Sequence, residues 1–363
     1  MVLENPLRPG ASFKAQIVSN LAAIANLPLR FPHLFANRPA TLQPAFFVST
    51  VTAGIWAPRV VVVTELLPDS ERIVGVLYAR ERLLMGIPTG IVLADSTLGA
   101  LLVSHPDEQE TVFSHAIRAL VSHPATLAIR LYLPETSHEV AALQRFRATL
   151  PSLIISQPVG SHSILRLPAT FDSFLTGLSY TTRATFRRYR RHGREDRVFL
   201  QQIDEQEFAA AVAELDKKSR MGAKAGEIAL HLKMIAAARR PLRAGLRNSA
   251  GEWLSVVGGW YESDRLTVCL QQNNDRKFHR SSLSLVMRSH LIESCIAEGI
   301  SEILFVGGVR GHLMDYAEIS PTVIAYIDIP HPVWSRIGEL AARAFRLLPA
   351  NWRRPAYLCA PTL

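Results

Sequence analysis

The stretch WLSVVGGWYESDRLTVCLQQ, Trp253 to Gln272, holds two apolar runs rich in β-branched and aromatic residues on either side of Glu262-Ser263-Asp264. Strand-forming runs separated by a short polar turn predict a β-hairpin. Downstream, Ser282 to Ala297 predicts a helix that Gly299 stops, and Glu302–Val306 (EILFV) predicts a further strand. Upstream, Arg197–Ile203 and Arg243–Asn248 read as strands flanking helices at Glu205–Ser219 and Glu227–Ala238, with a turn at Asn248–Gly251.

The first half repeats that order without repeating the sequence. Arg59–Glu65 and Arg72–Arg80 surround the turn residues Pro68-Asp69-Ser70 and predict a hairpin. Ile87–Ala94 follows, then a helix opening at Asp107-Glu108 with apolar Val112, Ile117, Leu120 and Val121, then a strand over Leu127–Leu133. Ahead of these, Ala11–Ala25 is read as helical and Pro44–Val51 as a short helix. Two hairpin–helix–strand modules predict a mixed α/β (α+β) fold of two similar domains, 1–168 and 169–363, each a mixed twisted sheet flanked by helices. The region between them, with Pro151, Pro158 and Pro168, contains a strand at Ser163–Leu167 that is expected to complete the first sheet.

At 363 residues, 48% hydrophobic and 20% charged, the chain can bury a sizeable core, which excludes wholesale disorder. Its net charge of +9 is uneven: residues 1–165 hold 12 Lys/Arg against 11 Asp/Glu, and 166–363 hold 28 against 20. That asymmetry favours a polyanionic or phosphorylated partner for the second half. The three cysteines, Cys269, Cys295 and Cys359, form no CxxC, so neither a disulfide framework nor a cysteine zinc site is indicated and a reducing cytoplasm is expected. Met1–Ser19 lacks an apolar export core, and no run of 18 uncharged apolar residues predicts a membrane span. Phosphate-loop, dinucleotide, nucleophile-elbow and HExxH motifs are all missing, and the scattered histidines propose no metal.

Two segments could carry chemistry. In the first, Arg183, Arg187, Arg190 and Arg194 stand at i, i+4, i+7 and i+11, one stripe on a helix, where like charges repel unless an anion or nearby acids neutralise them. The stripe is either an anion or acceptor site or a solvated face paired with acids of its own domain. In the second, a strand end runs into a helix start through Arg276, Lys277, Arg280, Ser281, Ser282 and Ser284. Free N–H groups at a helix N-terminus beside three cations make a pyrophosphate seat; the plainer reading is a serine N-cap with basic residues facing water.

These residues resemble the tandem acyltransferase superfamily of the GNAT fold, in particular its cellulose-biosynthesis (CelD-like) branch, distantly related to Fem-type peptidyltransferases. The resemblance rests on Phe171–Arg194, on Val257-Gly-Gly-Trp-Tyr261 through Asn274 with the following helix, and on Gly299 to Leu304-Phe305-Val306-Gly307-Gly308. It implies two GNAT-like domains and acyl transfer from acyl-CoA, as co-substrate, to an amine or sugar-amine acceptor in polysaccharide or cell-envelope metabolism. It further implies that the thioester lies where two central parallel strands splay, with backbone N–H groups of Val268, Cys269 and Leu270 facing its carbonyl. Tyr316 resembles the tyrosine placed near the departing thiolate, and His312 or a water held by Gln271 would take the amine proton. The first domain would be structural or bind acceptor. The donor junction carries no glycine where the family has a glycine-bearing signature. Two rivals therefore stand beside this reading: a Fem-like transferase using aminoacyl-tRNA, and a non-catalytic polyanion-binding or scaffold protein.

Overall fold

The computed structural model describes residues 12–329 apart from 52–53, 69, 148–151, 192–196, 220–226, 278–281 and 310. Contacts divide the chain into two interleaved units. One takes the described residues of Met1–Ala36, Val51–Val159 and Thr322–Leu363; the other takes Asn37–Thr50 and Gly160–Pro321.

The first unit contains a four-stranded antiparallel sheet in the order Ser12–Val18, Val60–Leu67, Ser70–Leu77 and Leu101–Val103. Ser12–Val18 corrects the helix expected over Ala11–Ala25. Its side chains alternate between exposed and partly covered, and it pairs along its whole length from Ser12↔Leu66 to Val18↔Val60, so the period is two rather than 3.6. The helix Gln109–Ser122 buries Val112, Phe113, Ile117 and Leu120. Further strands run in the order Glu318–Asp328, Ala128–Pro134, Ile87–Asp95, Arg80–Leu84 and Trp56–Pro58, with Ile87–Asp95 and Ala128–Pro134 parallel.

The second unit orders its strands as Arg197–Leu200, Pro241–Asn248, Trp253–Glu262, Arg265–Asn273, Glu302–Val306 and Val159–Arg166. The first four are successively antiparallel, Arg265–Asn273 and Glu302–Val306 are parallel, and Val159–Arg166 returns antiparallel. The helices Phe171–Gly177, Tyr180–Arg191 and Leu283–Ala297 share one core, in which Phe174, Phe186, Val286, Met287, Leu291 and Ile292 are buried. The helices Glu205–Lys218 and Glu227–Ala237 bring Phe208 and Ile235 against Gly258, where an added Cβ would stand 2.6 Å from Ile235 Cδ1.

In the sheet the segment around Ser163–Leu167 lies next to Glu318–Asp328 and, on its other side, pairs with Glu302–Val306, from His162↔Val306 to Arg166↔Glu302. Its polar side chains serve the turn that follows that partner. Ser163 Oγ accepts from Val309 N at 3.1 Å, and His162 Nδ1 accepts from Gly307 N at 3.3 Å. The first unit also takes a strand from the far end of the sequence, Thr322–Asp328, which pairs with Ala128–Pro134.

Candidate active site

The two parallel strands at the centre of the second unit pair over only four positions, from Arg265↔Glu302 to Val268↔Phe305, although Arg265–Asn273 continues for five more residues. On its other side the same strand is bulged. Gly258 opposes Leu270 and Gly259 opposes Val268, so the antiparallel register skips Cys269. Cys269 is therefore passed over on one side and lies beyond the last parallel pair on the other. The backbone at Cys269–Leu270 borders a gap into which a ligand can lay a carbonyl as a substitute strand partner. Gly259 allows this geometry, because a Cβ there would sit 1.8 Å from the Thr267 carbonyl oxygen. The Cys269 thiol is not the reactive group: burial pushes it up to about 12, and its Sγ faces Gly258 O at 3.8 Å.

Above the gap begins the helix Leu283–Ala297. Its first turn contains no acidic residue, its N-cap Ser282 makes no side-chain cap and sits in the left-handed region at φ 44°. Leu285 and Val286 N–H reach Ser282 O, while Leu283 and Ser284 N–H have no acceptor among the described residues. The corresponding helix of the first unit is entered through Pro106–Glu108, with Asp107, Glu108 and Glu110 at its start. There Glu108 is buried and accepts from His105 N, Ser104 Oγ and Arg72, so that helix end already holds its own carboxylate. Of the two ends, the one in the second unit carries no carboxylate among the described residues.

The predicted donor cations separate in the structure. Arg276 is exposed and has no acidic partner among the described residues, whereas Lys277 is held by Glu252 at 2.7 Å. Ser284 Oγ lies 3.5 Å from Gln271 Oε1, and Arg280 and Ser281 lie outside the described residues. The arginine stripe also separates. Arg190 pairs with Glu293 at 2.5 Å and covers the Phe171 ring, which ties its helix to Leu283–Ala297. Arg183 and Arg187 remain without a carboxylate among the described residues and, with Tyr180, Ala184, Arg188 and Arg191, line an open depression of about 570 Å³. Arg194 lies outside the described residues.

Tyr316 ends the short 3-10 helix Gly311–Tyr316, and its hydroxyl accepts from Ser179 N at 2.7 Å, at the start of the arginine helix. Hydrogen bonds from Ser179, and then Thr182, hold the phenol below the usual tyrosine range. His312 is exposed on the same short helix. Gln271 points toward the helix side of the gap, where its Oε1 accepts from Arg288 Nε at 3.0 Å and its Nε2 lies 3.5 Å from Ser284 O. Arg288 is the residue that sequence reading passes over. Its guanidinium carbon stands 5.3 Å from the Phe305 ring centre, so it reaches both strands that border the gap.

Among the described residues no group of three or more His, Cys, Asp or Glu is arranged to hold a metal, and no helix is long and apolar enough to cross a membrane.

Residues 180–316, from the start of the arginine helix to Tyr316, match the family described as "Acetyltransferase (GNAT) domain". No curated protein matches the chain. Among solved structures, FemX aligns at 11% identity over 89% of this chain and 99% of its own, with a TM-score of 0.59. A tandem GNAT protein from the clavulanic acid biosynthesis pathway aligns at 14% identity over 88% and 99%, TM-score 0.51. L-PGS from Bacillus licheniformis aligns at 13% identity over 89% and 95%, TM-score 0.51. These are likenesses of fold: the chain has a tandem-GNAT-like fold, with twisted sheets flanked by helices.

Proposed function

We propose that the second unit is an N-acyltransferase that moves an acyl group from acyl-CoA to a small amine or sugar amine. The observation that carries this reading is the gap between Arg265–Asn273 and Glu302–Val306, with the skipped Cys269 at its edge and an uncapped helix start above it. In the proposed reaction the amine nitrogen attacks the thioester carbon, a C–N bond forms, the C–S bond breaks, and one proton passes from nitrogen to the departing sulfur. Backbone N–H groups at Cys269–Leu270 would receive the developing oxyanion. The N–H groups of Leu283 and Ser284, with Arg276, would take the pyrophosphate. His312, or a water on Gln271, would accept the amine proton, and Tyr316 would protonate the thiolate. The acid-filled helix start of the first unit supports a structural or acceptor-binding role there. An acyl-CoA donor also accords with a cytoplasmic setting.

Calorimetry of acetyl-, succinyl- and long-chain acyl-CoA against the whole protein tests the reading, and absence of binding by any of them refutes it. Tyr316→Phe tests the acid. Turnover is expected to fall by about 100-fold with donor affinity unchanged, because a proton delivered in the transition state leaves ground-state binding alone. If turnover instead tracks the fraction of folded protein, the hydroxyl only secures Ser179.

Arg183, Arg187, Arg188 and Arg191, which have no carboxylate partner among the described residues, support a second reading, in which the donor is aminoacyl-tRNA. An extended polyanion would bind with a log–log salt slope of roughly −0.7 to −0.9 per phosphate engaged. A local anion or acceptor role accords better with a stripe from which Arg190 has been withdrawn to Glu293. The expected result is no tRNA binding at physiological ionic strength. Submicromolar binding that flattens with salt in an Arg183→Gln/Arg187→Gln double variant would reverse that preference.

A further inference from the structure

Several arginines on the sheets and helices of the second unit are matched to carboxylates: Arg190 to Glu293, Arg243 to Glu205, Arg247 to Glu207, Arg265 to Glu302, and Arg166 to Glu318. Arg288 is different. It lies in the second turn of Leu283–Ala297, between buried Met287 and Ser289. Its Nε donates to Gln271 Oε1, its flat face covers Phe305, and neither terminal nitrogen has an acceptor among the described residues. The nearest acid along its own helix, Glu293, is turned to Arg190. Burial pushes the guanidinium down to about 10, so it is still charged at neutral pH, at an energetic cost that Gln271 and Phe305 offset only in part and that no carboxylate among the described residues offsets.

Gln271 belongs to one splayed strand and Phe305 to the other, so the guanidinium of Arg288 bridges the two strands that border the gap. We propose that Arg288 is the counter-charge for an oxyanion, a carboxylate or a phosphate, carried by the ligand that enters this gap. The uncharged thioester arm of an acyl-CoA cannot fill that role. The oxyanion is therefore either a carboxylate on the acyl chain, as in a dicarboxylic monoacyl thioester, or the donor's phosphate next to the arm. The inference rests on the acyl-CoA reading for the identity of the ligand, but not for the existence of the site.

Wild type and Arg288→Gln, compared in the full chain, decide the matter. Without ligand, Arg288→Gln is expected to melt no lower than wild type, since an uncompensated charge is removed; a drop of several degrees would make Arg288 a structural residue and overturn the proposal. With ligand, an acyl carboxylate predicts that wild type prefers succinyl-CoA to acetyl-CoA by at least tenfold and that the variant loses this preference. A donor phosphate predicts the same loss for 4′-phosphopantetheine against pantetheine. Equal affinities of the two proteins for all four ligands overturn the proposal and leave the acyl-CoA reading standing. If wild type binds none of them, but inorganic phosphate raises its melting temperature more than that of Arg288→Gln, the acyl-CoA reading falls and the oxyanion site stands; equal protection by phosphate removes the site as well. Arg288→Lys, which keeps the charge but loses the two-pronged geometry, is expected to recover only part of the preference.

Discussion

Ser284→Asp is expected to lower acyl-CoA affinity on the order of 100-fold while leaving the protein at least as stable as wild type. Position 284 is in the first turn of Leu283–Ala297, the turn that contains no acid and in which the Leu283 and Ser284 N–H groups have no acceptor among the described residues. A carboxylate there occupies the place proposed for the pyrophosphate, and at about 6 Å and an effective dielectric near 20 the repulsion between two unit charges is about 3 kcal/mol. The same carboxylate is favourable to the empty helix. It complements the positive end of the dipole and stands four residues before Arg288, and together these contribute about 0.5–1 kcal/mol. Opposite signs for binding and stability distinguish this outcome from ordinary damage. The change copies what the first unit already has, where Glu108 sits at the helix entrance. Calorimetry with CoA alongside a denaturant titration gives both quantities. Undiminished affinity would move the donor away from this helix.

Replacing Gly259 by alanine is expected to cost roughly 3–5 kcal/mol, in the upper range for single substitutions. The added Cβ would meet backbone on both near contacts, Thr267 O at 1.8 Å and Thr267 C at 2.9 Å, and backbone in a hairpin cannot rotate aside as a side-chain tip can. The two strands would have to part at the bulge, which would also displace Cys269 and the border of the gap. Gly177→Ala is the internal comparison: nothing lies within 4 Å of its added Cβ, and a change within about 1 kcal/mol of zero is expected. Equilibrium unfolding of the two variants measures this, and a Gly259→Ala midpoint matching that of Gly177→Ala would mean the strands do not approach as closely as described.

The central elements of the second unit were legible because their signals are local. The hairpin read from Trp253 to Gln272 is Trp253–Glu262 with Arg265–Asn273, and Glu302–Val306 carries the bounds read from its apolar run. Ser12–Val18 was not legible as a strand: in SFKAQIV the apolar residues are too few to separate a period of two from one of 3.6, and the decision is made by its partner Val60–Leu67. Which strands flank Val159–Arg166 is likewise a matter of pairing across more than a hundred residues, for which no local pattern exists. At the site, the helix start could be read from its serines and cations, but the withdrawal of Lys277 to Glu252 and of Arg190 to Glu293 depends on tertiary neighbours. Arg288 did leave a trace. In LSLVMRSHLIESCIA the positions three and four residues to either side of it are Ser284, Leu285, Leu291 and Ile292, so an arginine stands in an apolar helix with no acid within helical reach. The Gly258-Gly259 pair was the corresponding trace of the bulge.

The exchange of strands between the two halves of the sequence also sets a timetable for synthesis. When the ribosome has made Ala128–Pro134 and Leu153–Ile155, the strand both pair with, Glu318–Asp328, does not yet exist. At about 5–20 residues per second the nascent chain must carry that open β-edge for roughly ten to thirty seconds, while Gly160–Pro321 of the second unit is translated. An unpaired edge is a template for pairing with other chains, so the newborn protein passes through a period in which crowding of polysomes, and not the stability of the finished molecule, governs its yield. Slower growth temperatures and chaperones that shield extended segments should therefore improve recovery of the intact chain more than stabilising substitutions do. Separate expression of residues 1–168 should give aggregates, because that fragment never receives its closing strand.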